Sequence, residues 1–127
     1  MLRRWMRAAL TRDAKVTVRF VGTREGLRLN EAYRGKAYAT NVLTFVYDGT
    51  RPLEGDIVLC APVVRREAKA GRLDLADHCA HLVVHGMLHL QGFDHDTPPA
   101  ARAMEARESA ILASLSRRDP WAAEAGR

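Results

Sequence analysis

The sequence has few cysteines and no long uninterrupted apolar run. Cys60 and Cys79 stand far apart, so no disulfide framework is expected, and both thiols are predicted to be buried in a reduced, cytoplasmic setting. Arginines interrupt the apolar residues at the start of the chain, which excludes the apolar core of a signal peptide and a bilayer span. We therefore expect one cytoplasmic domain over residues 1–127 that has no membrane partner.

Acidic residues are scarce in the first third of the chain. Residues 1–36 hold ten Lys or Arg against three acidic residues, a balance of +7, whereas the remaining residues hold ten bases and twelve acids, a balance of −2. A basic region beside a mildly acidic one suits an enzyme that acts on a polyanion, because phosphate contacts supply most of the affinity for nucleic acid. A solvated basic surface explains the charge alone equally well.

Periodic apolar residues predict alternating helices and short strands. The order of these elements is typical of an α/β or α+β protein. Asp74 is predicted to cap the helix that carries most of the histidines, and Thr23 to cap an earlier one. The predicted helices cover about residues 2–10, 23–33, 62–72 and 75–91 and a segment from Pro98 onward, and the predicted strands cover residues 15–22, 41–47 and 55–60, the last of them central.

The last predicted helix begins at two prolines and has one apolar face. Met104, Ile111 and Leu115 repeat on that face. Glu105 and Glu108 are predicted to face elsewhere. Beyond this helix the chain is polar except for Trp121, so a frayed end is expected.

Three histidines occur at the spacing H-x3-H-x5-H. His85 and His89 lie one turn apart on the predicted helix and point the same way. Gly92 follows where a left-handed residue would end the helix, so that the chain can turn back and bring His95 to the same point. Three imidazoles with an open fourth position are typical of a catalytic zinc site, although other transition metals also bind imidazole.

Two further histidines lie on the same edge of this helix, His81 one turn and His78 two turns before His85. They are too far back along the helix to join the three ligands easily. We expect them to be structural or to support the ligands from behind.

The histidine spacing is also that of the metzincin proteases, whose motif is H-E-x-x-H-x-x-G-x-x-H. Gly86 stands where those proteases keep the glutamate that serves as general base. Without that carboxylate, peptide hydrolysis loses proton transfer that contributes typically about 10²- to 10⁴-fold. A phosphodiester fits better, since a metal can polarise the phosphoryl oxygen while a cation offsets the developing charge.

Four segments extend the pattern over most of the chain: LNEAYRGKAYATNVLTF, GDIVLC, HLVVHGMLHLQGFDHD and DPWAAEA. In this order they resemble the motifs of the YbeY family of bacterial endoribonucleases that mature rRNA. The resemblance implies an α+β fold with a small mixed β-sheet flanked by helices and a three-histidine metal site at a helix C-terminus. It also implies that His85, His89 and His95 bind one Zn²⁺ and that Arg34 faces the phosphate in a cleft beside the metal.

The resemblance further implies a zinc-dependent endoribonuclease for single-stranded rRNA and precursor rRNA. Its expected roles are the maturation of the 3′ end of 16S rRNA and ribosome quality control. The ribosomal small subunit and its assembly factors are the expected partners.

Two other functions remain open from the sequence: a metalloprotease-like hydrolase and a non-catalytic zinc-containing module for ribosome assembly. The general base is also open. Asp94, Asp96 and a hydroxide generated at the metal are candidates, and His81 is a candidate for a supporting role.

Overall fold

The structure is a computed structural model that describes residues 2–48, 53–115 and 117. Five helices and three strands are present in this part of the chain. In order they are α1 (Leu2–Ala8), β1 (Ala14–Val21), α2 (Thr23–Arg34), β2 (Val42–Asp48), β3 (Leu53–Cys60), α3 (Ala61–Ala70), α4 (Leu75–Leu90) and α5 (Pro98–Ser114).

The three strands form one mixed sheet in the order β1-β3-β2. β3 pairs in parallel with β1 and antiparallel with β2. The apolar run that ends at Cys60 predicted a central strand, and this prediction is confirmed because β3 lies between β1 and β2. The predicted α+β class with a small mixed sheet and flanking helices is likewise confirmed.

Alternate residues of β3 enter two separate cores. Ile57 and Leu59 are fully buried in the larger core, which α1, α4 and α5 complete. Val58 and Cys60 point to the other face and pack with a smaller cluster that includes Leu29 of α2. The period of two that a strand imposes on its side chains therefore places the sheet between α4 and α2.

The first helix docks on the domain, as Trp5 predicted. Trp5 is buried, and α1 packs against α4. The guanidinium of Arg117, a residue that follows α5, lies over the Trp5 ring, 5.5 Å from its centroid. Among the described helices, none combines the length and apolar character that crossing a bilayer requires.

The ends of several elements differ from the sequence predictions. The prediction that Thr23 caps α2 is wrong, because Gly22 occupies the N-cap and supplies no side-chain hydrogen bond. Asp74 caps α4 as predicted, accepting a hydrogen bond from the Asp77 backbone N–H at 3.0 Å. The predicted turn at residues 49–52 and the DPWAAEA segment with Trp121 lie outside the described residues.

Candidate functional site

Helix α4 fixes two of the three motif histidines. Its buried stripe includes Val83, Met87 and Leu90 and faces the sheet and the neighbouring helices. His85 and His89 lie on the adjacent edge, so His85 is partly exposed and His89 is exposed. Packing of the apolar stripe therefore sets the direction in which both imidazoles project.

A glycine turn returns the chain to the same edge. Gly92 has a φ of +101°, a value that L side chains rarely adopt. The backbone N–H of Gly92 donates to the carbonyl of His89 at 3.1 Å, and that of Phe93 donates to the carbonyl of Leu88 at 3.1 Å. These two bonds satisfy carbonyls at the end of α4, in the pattern of a Schellman motif. The predicted role of Gly92 in bringing His95 back toward the helix is consistent with this geometry.

The three imidazole rings form a triangle. The ring centroids of His85 and His95 are 5.6 Å apart, and each of these rings lies 6.4 Å from that of His89. The rings of His85 and His89 are nearly parallel, with an interplanar angle of 4°. The structure thus brings together the three residues that the sequence singled out as ligands.

Hydrogen bonds at Nδ1 leave Nε2 as the available nitrogen of two rings. Nδ1 of His89 lies 3.2 Å from the carbonyl oxygen of Phe93, which can only accept. Nδ1 of His85 lies 2.6 Å from Oε1 of Glu108. A carboxylate also can only accept, so each of these two imidazoles, when neutral, carries its proton on Nδ1 and presents the Nε2 lone pair.

Glu108 is an ionised carboxylate inside the protein. Its side chain is 1% exposed, and Nε2 of His81 lies 3.5 Å from its second oxygen. Burial raises the pKa of Glu108, but the hydrogen bonds and charges of His81 and His85 outweigh burial and lower the pKa to about 2. The carboxylate is therefore charged at neutral pH and orients His85 from behind.

The prediction that Glu108 faces away from the core is wrong. Met104, Glu108 and Leu112 recur every four residues, and all three are buried on one face of α5. The sequence carried a signal for this placement, since Glu108 sits in an otherwise apolar series with helical spacing. A lone acid in such a series indicates a buried partner, and here the partners are His81 and His85.

The donor set fits a zinc ion, although the rings stand slightly too far apart. Three imidazoles that bind one tetrahedral ion through Nε2 have centroids roughly 5 Å apart, given Zn–N distances of about 2.0–2.1 Å. The observed separations of 5.6–6.4 Å exceed this. Over residues 2–48, 53–115 and 117, no three His, Cys, Asp or Glu side chains form a ready-made ligand set. The fit to zinc therefore rests on the chemistry of the three imidazole donors.

Arg34 shares a cleft with the three histidines. It is the last residue of α2, which ends at Gly35 with a φ of 69°. The cleft has a volume of about 760 Å³ and is lined by Arg34, by residues 40–47 on and before β2, and by His85, His89 and His95. Arg34 is exposed, so its guanidinium is available to a ligand in the cleft. A cation and an imidazole cluster in one cleft can bind a phosphate and a metal side by side.

The other candidates are divided between the cleft and the protein interior. Asp96 lines the cleft, whereas Asp94 does not and instead accepts a hydrogen bond from the Asp96 backbone N–H at 3.2 Å. His81 contacts Glu108, and Nε2 of His78 lies 3.0 Å from Oε1 of Glu67. Neither of these two histidines lines the cleft. Asp96 is thus the better placed of the two aspartates for proton transfer.

Gly86 packs closely against Ile57 of the sheet, so a side chain at this position would be crowded. A Cβ atom at this position would lie 3.1–3.3 Å from three carbon atoms of Ile57, which is itself fully buried. A glutamate here would have to enter the core and could not reach the cleft without distorting α4. The close packing of α4 on β3 at Gly86 therefore opposes a glutamate at the position of the protease base.

Comparison with known proteins gives a consistent result. The family model described as endoribonuclease YbeY matches residues 2–116. An endoribonuclease YbeY from Aromatoleum aromaticum is 59% identical over 122 residues, which cover 96% of this chain and 79% of the relative. One from Verminephrobacter eiseniae is 52% identical over 126 residues, covering 99% and 82% of the two chains. A Thermotoga maritima protein solved in solution has a similar fold, with a TM-score of 0.58 and 24% identity over 94% of this chain and 85% of that one.

Proposed function

The chain belongs to the endoribonuclease YbeY family, whose members are hydrolases that act on RNA, and we propose that it cleaves single-stranded rRNA with one zinc ion. The observation that carries this proposal is the shared cleft. Arg34 lines it from the end of α2, and His85, His89 and His95 line it from α4 and the following turn. Arg34 and His85 are 51 residues apart in the chain, and hydrolysis of a phosphodiester can use both a cation and a metal ion.

In this proposal His85, His89 and His95 would hold the zinc ion, the first two through Nε2. Hydrogen bonds from Nδ1 to Glu108 and to the Phe93 carbonyl keep the first two rings in the required tautomer. Zinc held there would supply Lewis-acid polarisation of the phosphoryl group and a lower pKa for water.

Arg34 binds the phosphate that is cut. Its guanidinium can donate two parallel hydrogen bonds to phosphate oxygens and offset the charge that grows on them during cleavage. Asp96 lines the same cleft and is the candidate for accepting a proton from the attacking water.

The proposed substrate is precursor rRNA at the 3′ end of 16S rRNA. Membership of the YbeY family supports this choice, and the excess of Lys and Arg in residues 1–36 is consistent with an RNA substrate. On the same ground, membership of the family, we propose that the enzyme is cytoplasmic and acts in rRNA maturation and ribosome quality control. Its proposed partners are the ribosomal small subunit and its assembly factors.

The experiment compares zinc content and cleavage of precursor rRNA in four proteins: the parent, His89→Ala, Arg34→Ala and the control Arg28→Ala. Arg28 is exposed on α2 but does not line the cleft. We expect His89→Ala to lose both zinc and cleavage, Arg34→Ala to keep zinc and lose cleavage, and Arg28→Ala to keep both. Cleavage that survives removal of the metal would overturn the zinc mechanism.

The same panel distinguishes the alternatives. A purely structural zinc module would unfold when stripped of metal and would show no cleavage at any purity. A protease would degrade casein when loaded with metal, an activity that the packing of Gly86 against Ile57 opposes.

A further inference from the structure

Two exposed tyrosines line the cleft beside the proposed phosphate site. Tyr33 immediately precedes Arg34 at the end of α2, and Tyr47 lies near the end of β2. The two residues are 68% and 67% exposed, which is unusual for large aromatic side chains. Neither has a role in holding metal or in contacting the cut phosphate.

Contacts at one end of each ring hold it in place. The Tyr33 ring packs edge-on against Phe45, with centroids 4.6 Å apart and an interplanar angle of 65°. The hydroxyl of Tyr47 donates a 2.6 Å hydrogen bond to Oδ2 of Asp56 on β3. Rings restrained in this way lose little conformational freedom when a ligand covers them.

The nature of the cleft indicates which ligand would cover these rings. Arg34 supplies the cleft with a cation suited to the phosphate backbone. Proteins that bind single-stranded nucleic acid combine basic grooves with aromatic side chains on which successive bases stack. A stacked duplex does not offer the faces of its bases to such rings.

We propose that Tyr33 and Tyr47 form a stacking site for unpaired bases that flank the phosphate bound by Arg34. This inference rests on the proposed endoribonuclease function and deepens it. The site makes the cleft selective for single-stranded RNA, because each base must be free to leave a helix before it can stack on a tyrosine.

The test measures the affinity of the full chain for a fluorescent single-stranded RNA of about 12 nucleotides, a length within the usual range of single-strand sites. All variants are made in the His89→Ala background, which keeps the RNA intact. Tyr33→Leu and Tyr47→Leu remove the rings, and Tyr33→Phe and Tyr47→Phe keep the rings without their hydroxyls. Tyr38→Leu is the matched control, since Tyr38 is 57% exposed and does not line the cleft.

We expect each leucine substitution at residues 33 and 47 to weaken RNA binding by about 10-fold. Tyr33→Phe and Tyr38→Leu should stay within about twofold of the parent, since stacking needs only the ring face. Tyr47→Phe keeps the ring but loses the hydrogen bond to Asp56, so its affinity should lie between those of the parent and Tyr47→Leu. An RNA with abasic sites should bind the parent less tightly, and Tyr33→Leu should weaken its binding no further. A duplex of the same sequence should bind all these proteins alike.

Two results would separate this inference from the function on which it rests. If zinc-loaded parent protein cleaves RNA, but Tyr33→Leu and Tyr47→Leu bind the strand as tightly as Tyr38→Leu, only the stacking site is overturned. If the parent neither binds nor cleaves single-stranded RNA, the proposed function and the stacking site both fail.

Discussion

Nδ1 of His85 lies 2.6 Å from Oε1 of Glu108, a carboxylate that is 1% exposed and belongs to a different helix. This contact joins α5 to one of the three proposed metal ligands. An ionised carboxylate behind an imidazole fixes the tautomer and increases the basicity of the opposite nitrogen. Glu108 does not line the cleft itself, so its effect on a metal bound there would be exerted through His85.

Replacing Glu108 with Gln should weaken zinc binding about 10- to 100-fold, the usual effect of losing such a partner. The amide keeps the shape and one acceptor oxygen but removes the negative charge. Competition with a chromophoric chelator measures the affinity, and the absorption spectrum of the Co²⁺-loaded protein reports the ligand field. Glu105→Gln, one turn earlier on α5, is the control. Equal zinc affinity in the two variants would refute the role of Glu108.

Gly86→Glu should destabilise the fold and create no protease. The new carboxylate would enter the space against Ile57, where even a Cβ atom would lie 3.1 Å from the nearest carbon. We expect a loss of about 3 kcal/mol or more in the free energy of unfolding, measured with urea. Gly86→Ala should cost much less, because its helix propensity offsets part of the crowding. Casein turnover by folded, metal-loaded Gly86→Glu would contradict this account.

Gly92→Ala should lower both stability and zinc affinity. At a φ of +101° an alanine is strained, and we expect a cost of about 1–3 kcal/mol in the free energy of unfolding. Relaxation of that strain would move His95 away from the other two rings. Gly22→Ala is the control, because Gly22 has a φ of −84° and open space around it. Thermal unfolding with and without zinc measures both effects, and a zinc-induced rise in Tm as large as the parent's would show that the turn does not matter.

The positive charge of Arg34 and the planar geometry of its guanidinium should have separate, measurable effects. Arg34→Ala should reduce the slope of log affinity for single-stranded RNA against log salt by about 0.7, the loss of one phosphate contact. Arg34→Lys should retain the slope yet cleave slowly, because an ammonium cannot form two parallel hydrogen bonds to phosphate. Titrations at several salt concentrations and single-turnover cleavage measure the two properties. Unchanged slope in Arg34→Ala would mean that the residue does not contact phosphate.

Local signals in the sequence predicted the part of the candidate site that lies on the continuous segment from α4 to His95. Helix α4 follows from an apolar stripe and the Asp74 cap, and the turn follows from Gly92. Spacing alone was enough to assemble His85, His89 and His95, because a helix and one tight turn have fixed geometry.

The parts that the sequence alone could not predict depend on packing between distant elements. Glu108 reaches His85 only because α5 lies against α4, and periodicity tells which face of α5 is buried but not which residue it meets. Arg34 shares the cleft because α2 and α4 flank one small sheet. Only the resemblance to a family anticipated that placement. Periodicity did not predict that the rings of Tyr33 and Tyr47 remain exposed beside the cleft.

Eight residues of α4 are buried, so the helix that carries two proposed ligands is also part of the main core. An element of this kind exchanges its amide hydrogens only when the whole domain opens. The end of α2 is exposed and has no such constraint. The α4 backbone that carries His85 and His89 should therefore stay rigid up to the temperature of global unfolding, whereas the backbone at the end of α2, beside Arg34, should exchange its amide hydrogens through smaller openings.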